Sequence, residues 1–307
     1  MLKKALNFKC NPFIFGLYRM ALAGFLLIYF ALLSNRWIEF YGPQGISPIK
    51  LRDHFTLIRP SIFSYLHSDQ ELWIYYGLTI FMLLALFCGR LGKWPAFFVW
   101  ITMISVENSN SNNVNAEEFS LCVFAFYSLI MPINETLVLS LRRWRFSNSE
   151  EPVSAWSLYP FWLHIEIIYV ISLPMKPFFD HAWVDGSLIY LAVNTFDMSR
   201  FPGLEIFRFD HAIFSKLMTW ASLIVEALFP ILVWTRRFGV LAIFSMIAFQ
   251  VGIAVLLSGV QLFSLSMIIA LILFFPSQTT HDLFYRPSMS RLREWLLPSK
   301  SETEPLN

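Results

Sequence analysis

The chain has 307 residues, of which 56% are hydrophobic and 14% are charged. Soluble globular proteins carry about 25% charged residues, so this composition excludes an ordinary soluble domain and favours membrane-embedded helices. The formal net charge of +2 indicates little by itself, since the positions of the basic residues along the chain decide the orientation in a membrane.

A bilayer core of about 30 Å needs roughly 20 apolar helical residues per crossing, and about eight stretches approach that length. We therefore predict an all-α integral membrane fold with about eight spans. The predicted spans are Phe13–Leu33, Leu72–Cys88, Trp94–Val106, Phe119–Ile133, Leu158–Met175, Leu217–Trp234, Val240–Leu257 and Leu262–Phe275. The third and fourth are short for a crossing, so they either both cross or form a shallow hairpin together.

The short connections between the predicted spans split by charge. GRLGK, LRRWR and TRRFG fall on one side of the membrane, whereas ENSNSNNVNAEE and SGVQ on the other side contain no Lys or Arg. Cytoplasmic loops carry the excess of basic residues in multi-pass membrane proteins. We therefore predict that both termini are cytoplasmic and that the chain lies in the cytoplasmic (inner) membrane.

Two long connections, Ser34–Glu71 and Lys176–Lys216, fall on the extracytoplasmic side and are expected to contain structure of their own. We expect one transmembrane domain over residues 10–276. Residues 277–299 alternate basic and apolar side chains, which predicts an interfacial helix on the cytoplasmic leaflet. The remaining tail, 300–307, is predicted to be disordered.

Ionisable residues inside predicted spans cost about 2.5–3.5 kcal/mol on insertion scales, so each is a functional candidate. They are Arg19, His164, Glu166 and Glu226. One expectation is a structural pair that locks helices together, Arg19 with Glu166 or with Glu226. Glu226 could equally face a cavity, and an isolated histidine such as His164 is typical of packing.

The fifth predicted span carries a polar stripe. Glu166, Tyr169, Leu173 and Lys176 recur at helical spacing and are expected on one face. A lysine partly buried at the outer interface can have its pKa lowered enough to act as a base. The alternative is a lysine that extends to the interface and only anchors the span.

Common soluble-enzyme motifs are absent from the sequence. We find no metal-ligand spacing, P-loop, GxGxxG or GxSxG element, and no basic-aromatic patch suited to nucleic acid. Cys10, Cys88 and Cys122 make an odd count, and two of them lie in apolar runs, so a disulfide framework is not expected. The candidate chemistry therefore lies in the membrane and its outer loops.

Five motifs follow one another along the chain: GLYRMALAGFLL, FYGPQGISP, NSNSNNVNAEE, IIYVISLPMKPFFDHAWVDGSLIYL, and the long run LIVEALFPILVWTRRFGVLAIFSMIAFQVGIAVLLSGVQLFSLSMI. In this order they resemble the horizontally transferred transmembrane (HTTM) family, which includes vitamin K-dependent γ-glutamyl carboxylase and SdpB-like bacterial maturation proteins. Together they cover roughly residues 10–276.

The resemblance implies specific roles. In the carboxylase branch, a lysine before a Trp-x-x-Gly element deprotonates a reduced quinone, and by position that lysine is similar to Lys176, ahead of Trp183 and Gly186. Lys176 is thus the candidate base, with Glu166 and Tyr169 as further catalytic candidates. Substrate-binding residues are expected to be Asn113, Asn115, Glu117, His181, Trp183 and Gln250.

The chain also departs from the carboxylase pattern. Asn115 or Val114 stands where the carboxylase has a histidine after paired asparagines, and Gln250 stands where a histidine is common in the seventh span. The chain ends soon after the eighth predicted span, without the large lumenal domain of the carboxylase. We therefore do not expect a full carboxylase.

Three functions follow as hypotheses. The first is a membrane enzyme or maturation factor that acts at the outer face on a peptide or quinone-like substrate. The second is a non-catalytic membrane partner in the export of, or immunity to, a secreted peptide, with that peptide or a companion maturation protein as its partner. The third, a transporter, is motivated only by Arg19 and Glu226 and is disfavoured by the lack of paired half-sequences or interrupted helices.

Overall fold

The computed structural model describes residues 9–46, 59–109, 116–140, 145–147, 151–195, 199–201, 212–235 and 237–275. The chain divides into two compact units. Unit 1 includes the described residues up to Ser157, and unit 2 covers Leu158–Phe275.

Unit 1 is helical, with a few short strands. Its helices are α1 (Phe13–Leu33), α2 (Trp37–Tyr41), α3 (Asp69–Cys88), α4 (Trp94–Ser109) and α5 (Ala116–Ile130), with 3-10 turns at Ser34–Arg36 and Ile62–Tyr65. Its strands are β1 (Lys9–Cys10), β2 (Val138–Ser140), β3 (Arg145–Ser147) and β4 (Val153–Ser154). Two antiparallel pairs form, β1 with β4 and β2 with β3. The sequence analysis predicted none of these strands.

Local signals account for where the helices of unit 1 begin and end. The Asn11 side chain accepts a hydrogen bond from the Phe13 amide at the start of α1. Ser68 and Glu71 form a reciprocal capping box at the start of α3. Gly89, in the left-handed conformation, ends α3.

Trp37 forms the centre of an aromatic core in unit 1. Its indole is fully buried, and its Nε1–H donates to the Leu72 carbonyl at 3.1 Å. Tyr41, Phe63 and Tyr76 surround the ring at centroid distances of 4.7, 5.3 and 5.3 Å. The first long loop therefore packs on α3 through aromatic contacts.

The described residues of unit 2 form helices and one isolated β-bridge between Ser199 and Leu257. Its helices are α6 (Leu158–Phe179), α7 (Ala182–Asp185), α8 (Leu188–Asn194), α9 (Ala212–Leu232), α10 (Gly239–Leu256) and α11 (Gln261–Leu271), with a 3-10 turn at Ile272–Phe274. Helix α9 packs against α6, α8 and α10, and α10 packs against α11. Helix α9 also contacts α7, so it has four helical neighbours and holds a central position in this unit.

Among the described residues, five helices are long and apolar enough to cross a membrane. They are Phe13–Tyr41, Asp69–Cys88, Leu158–Phe179, Ile213–Leu232 and Gly239–Leu256. A shorter apolar helix covers Gln261–Phe274. The protein is therefore a helical, multi-pass membrane protein, and the exposed apolar side chains of these helices suit contact with a lipid bilayer.

The predicted spans all fall on helices, with shifted ends. Helix α6 continues through Pro174 and Pro177 to Phe179, four residues beyond the predicted end of the span at Met175. Helix α9 begins at Ala212 rather than at Leu217. The predicted interfacial helix 277–299 and tail 300–307 lie outside the described residues.

Candidate functional site

Lys176 lies in the last turn of α6, between two prolines. Pro174 and Pro177 lack backbone N–H groups, so the carbonyls of Val170 and Leu173 lose their usual helical donors. The helix nevertheless continues, which keeps the Lys176 side chain on the stripe that also carries Tyr169. Lys176 is thus held by a helix and not by the loop that follows.

The Lys176 ammonium forms an ion pair with the Glu226 carboxylate. Glu226 lies well inside α9, four residues before Pro230. The Lys176 side chain is 19% exposed and the Glu226 side chain 6% exposed. The carboxylate is therefore the buried member of the pair, and the amine is the member that surrounding solvent or a ligand can reach.

Trp183 covers the Lys176 amine. The Nζ atom lies 4.6 Å from the centroid of the Trp183 ring, within the range of a cation–π interaction. The lysine thus has two partners of different kinds, a carboxylate and an aromatic face. Both partners hold the amine in place at the end of α6.

Helix α7, which carries Trp183, is fixed to the start of α9. The Asp180 carboxylate accepts from the Ala182 amide at 2.9 Å, and the Trp220 indole donates to the Val184 carbonyl at 3.2 Å. Gly186 ends α7 with φ +82°, and a Cβ there would lie 2.9 Å from Lys216 Cγ. Only glycine permits this close approach without strain.

Tyr169 and Gln250 form a second polar contact deeper in unit 2. Gln250 on α10 donates through Nε2 to the Tyr169 hydroxyl at 3.3 Å, and both side chains are buried. Tyr169 also interacts electrostatically with Glu226 and packs its ring 5.3 Å from that of Phe229. Gln250 Oε1 is buried without a hydrogen-bond partner in the described part of the chain. The two contacts therefore form one cluster, made by α6, α9 and α10.

Glu166 lies apart from this cluster. Ten residues separate it from Lys176, or about 15 Å along the helix axis. Its carboxylate has a side-chain hydrogen bond with Trp234, while its Oε1 atom is buried and unpaired within the described ranges. Of the predicted stripe, the structure places Tyr169 and Lys176 together and leaves Glu166 nearer the opposite end of α6.

His181 is highly exposed, with its Nδ1 3.8 Å from an Asp185 carboxylate oxygen. Hydrogen bonds from Ser187 hold the pKa of Asp185 below its usual value. Asp185 is therefore charged at neutral pH, which makes the outer surface of α7 polar. His181 thus belongs to the surface of α7, while Trp183, two residues further on, contacts Lys176.

Arg19 makes contacts that differ from those predicted. The fully buried guanidinium donates to the carbonyls of Ile133, Thr136 and Leu137, and also to Phe87. The expected pairing of Arg19 with Glu166 or Glu226 was therefore wrong, because the terminal Nη1 and Nη2 groups of Arg19 donate to backbone carbonyls and Glu226 pairs with Lys176. Arg19 links the end of α3 to the segment after α5.

The Asn-rich segment is only partly described. Asn113 and Asn115 lie outside the described residues, and Glu117 lies in the first turn of α5. The neighbouring Glu118, which the sequence analysis did not select, accepts from the Tyr29 hydroxyl at 3.2 Å. Glu107 interacts electrostatically with Glu118. The sequence does carry a signal for these two residues, because Glu107 and Glu118 lie on either side of the polar Asn/Ser segment.

Metal-binding groups and disulfides do not contribute to this site. Within the described ranges, no three or more His, Cys, Asp or Glu side chains are grouped so that they could hold a metal ion. Cys10, Cys88 and Cys122 are free thiols. The contacts of Lys176, Glu226, Tyr169, Gln250 and Trp183 supply hydrogen bonding, cation–π contact and groups that can exchange a proton.

Known proteins offer no further guide to this cluster. The chain matches no family model, no curated protein and no solved structure. The geometry around Lys176 and Glu226 is therefore the basis on which a function is argued.

Proposed function

We propose that this chain is a membrane enzyme or maturation factor of the HTTM type. Its site is the Lys176–Glu226 pair beneath Trp183, and its substrate is a peptide or a quinone-like molecule at the extracytoplasmic face. The observation that carries the proposal is the ion pair itself. A membrane protein rarely buries such charges without a function, because each charged group costs free energy to insert.

The pair supplies a proton acceptor through a simple exchange. In the resting state the amine holds the proton and Glu226 is a carboxylate. When the proton moves from Lys176 to Glu226, both groups become neutral, and a low-dielectric interior favours neutral groups. The free amine of Lys176 can then accept a proton from an acidic group of the substrate, which leaves the substrate as an anion beside a new ammonium.

Tyr169 and Gln250 support the pair from the buried side. Gln250 donates to the Tyr169 oxygen, so the phenol proton of Tyr169 remains available to a neighbouring acceptor. Tyr169 also interacts electrostatically with Glu226, and in this proposal its phenol turns toward the carboxylate. In this proposal Tyr169 stabilises charge on Glu226 and is a positioning residue.

The proposed membrane arrangement has about eight spans with both termini in the cytoplasm. Its support is that every predicted span lies on a helix, and that the short connections split by charge. Cysteines introduced at Gly259 and at Arg90 test the orientation. A membrane-impermeant maleimide is expected to label Gly259→Cys in intact cells and Arg90→Cys only after permeabilisation, and the reverse pattern would contradict it.

The site itself is tested by native mass spectrometry of the purified protein. Wild type is compared with Lys176→Met and with Lys216→Met, which removes another basic side chain of the same long connection. We expect a bound peptide or quinone-like mass in wild type and Lys216→Met, and its loss in Lys176→Met. A ligand retained by all three proteins would contradict a role for Lys176 in binding.

A non-catalytic membrane partner for a secreted peptide is the second candidate. The observation that favours it is the resting ion pair, in which Glu226 and Trp183 already occupy the Lys176 amine. In that case the pair fixes α6 against α9 and performs no chemistry. A peptide that co-purifies with the protein and is released without chemical modification would favour this candidate, provided that Lys176→Met binds it as well as wild type does.

A further inference from the structure

Large apolar side chains remain exposed at the end of unit 2 that carries Lys176. Phe178 and Phe179, at the end of α6, are 81% and 73% exposed. Ile213, in the first turn of α9, is 77% exposed, and Val184 on α7 is also exposed. Such side chains are costly in contact with water when several occur together.

These residues continue the lipid-facing surface of α6. Exposed apolar side chains follow one another along this helix, namely Ile167, Val170, Ile171, Met175 and Phe178. Phe178 lies twenty residues after Leu158, or about 30 Å along the helix, which equals the thickness of the hydrocarbon core. Phe178 and Phe179 therefore lie where the acyl chains end and the headgroups begin.

Polar side chains occur on the same short segment. The side chains of Asp180, His181 and Asp185, on or beside α7, are exposed, and so is the side chain of Lys216 near the start of α9. A segment that exposes aromatic and aliphatic groups together with charged groups is typical of an element lying in the membrane interface. Water alone would not favour the Phe side chains, and acyl chains alone would not favour the charges.

We propose that the segment from Phe178 through α7, with Ile213, is embedded in the headgroup layer of one leaflet. Its partner is the lipid surface, because the exposed apolar residues are continuous with a helix face that already contacts lipid. Lys176 and Trp183 then lie at headgroup depth, and any molecule that reaches the amine passes through this layer. The inference concerns the placement of the segment and does not depend on the proposed function.

Spin labelling of the full chain in phosphatidylcholine–phosphatidylglycerol vesicles tests this placement. Single cysteines replace Phe179, Asp185 and Val170 in a background where Cys10, Cys88 and Cys122 are alanine. Asp185→Cys is the control on the same segment, and Val170→Cys is the reference on the lipid-facing surface of α6. The readout is the ratio of accessibility to oxygen, which partitions into lipid, over accessibility to a water-soluble nickel chelate.

We expect the ratio to fall in the order Val170, Phe179, Asp185, with Phe179 several-fold above Asp185. A Phe179 ratio equal to or below that of Asp185 would overturn the inference, because the segment would then lie in water. Dipolar broadening between labels at Phe179 would overturn it as well, because a second copy of the chain would then cover these residues. The accessibility ratios are measured without any activity assay. The outcome of this experiment is therefore independent of the outcome of the test of the proposed function.

Discussion

The Lys176 ammonium in the last turn of α6 is paired with the Glu226 carboxylate, fifty residues later in the chain, well inside α9. The pair brings together one partly accessible and one buried charge. In a low-dielectric interior the attraction between them is strong, but so is the cost of removing both from water. The pair therefore stabilises the packing of α6 against α9 only while both members are present.

Gly186 is predicted to be essential for the packing of α7 against α9. Alanine at Gly186 meets both an unfavourable φ of +82° and a contact with Lys216, whereas alanine at Gly259 meets a φ of +83° with no atom within 4 Å. The conformational cost is about 1–2 kcal/mol for each variant. We expect Gly186→Ala to lower the thermal unfolding midpoint in detergent clearly more than Gly259→Ala. Equal midpoints would show that α7 is not closely packed there.

A second glycine pair tests the role of Arg19 in unit 1. A Cβ at Gly89 would overlap the Arg19 guanidinium, while a Cβ at Gly92 meets nothing within 4 Å, and both residues have positive φ. Gly89→Ala should therefore lower the free energy of unfolding by the conformational cost of about 1–2 kcal/mol, and further because hydrogen bonds from Arg19 are lost. Gly92→Ala should lower it by the conformational cost alone. The thermal unfolding midpoints of Gly89→Ala and Gly92→Ala in detergent are compared. A smaller loss in Gly89→Ala than in Gly92→Ala would contradict the contact.

The Tyr169–Gln250 contact predicts non-additive losses. Tyr169→Phe leaves the buried Gln250 amide without its partner, and we expect a loss of about 1–3 kcal/mol. Gln250→Leu removes the donor, and the double variant replaces both polar groups with apolar ones. The double variant is thus expected to lose less unfolding free energy than the two single variants lose in sum. The unfolding free energies are measured in a denaturing detergent series. Strict additivity would argue against the hydrogen bond.

Lys93, between α3 and α4, predicts a stability that depends on pH. Its amine donates to the carbonyls of Ser128 and Met131, and burial lowers the pKa of Lys93 to about 8, below the usual value of 10.5. The unfolded chain binds this proton more tightly than the folded chain does. Below pH 8 the buried charge therefore destabilises the folded protein by its full amount, and this destabilisation disappears as the pH rises toward 10.5. The stability of wild type relative to Lys93→Met should therefore rise over that interval. A constant difference between the two proteins would contradict the shift.

Helices were easier to predict from the sequence than their ends. Helix α1 has the predicted bounds, Phe13–Leu33, because a long apolar run follows Asn11 and Pro12, which suit a helix start. The end of α6 was harder to predict, because a proline such as Pro174 usually bends or ends a helix. In a membrane-spanning helix, neighbouring groups can satisfy the carbonyls that a proline frees, so the helix continued to Phe179.

The candidate site was predictable by residue type but not by pairing. Glu226 stood out because a charge inside an apolar span is costly, and Lys176 stood out because it lies on one helical stripe with Tyr169 and matches a lysine of the family that the chain resembles. Their contact joins helices that are distant in sequence, and no local spacing encodes it. Arg19 shows the same limit, since its partners are backbone carbonyls, which carry no signature in the sequence.

The coupling between Lys176 and Glu226 is the central claim, and a double-mutant cycle tests it most directly. Unfolding free energies are measured for wild type, Lys176→Met, Glu226→Gln and the double variant, with Lys216→Met as the control partner for Glu226→Gln. Each single variant leaves one charge without its partner, so the double variant should lose about 1–3 kcal/mol less than the sum of the two single losses. Losses that add to within about 0.5 kcal/mol, as expected for the Lys216 control, would contradict the pair.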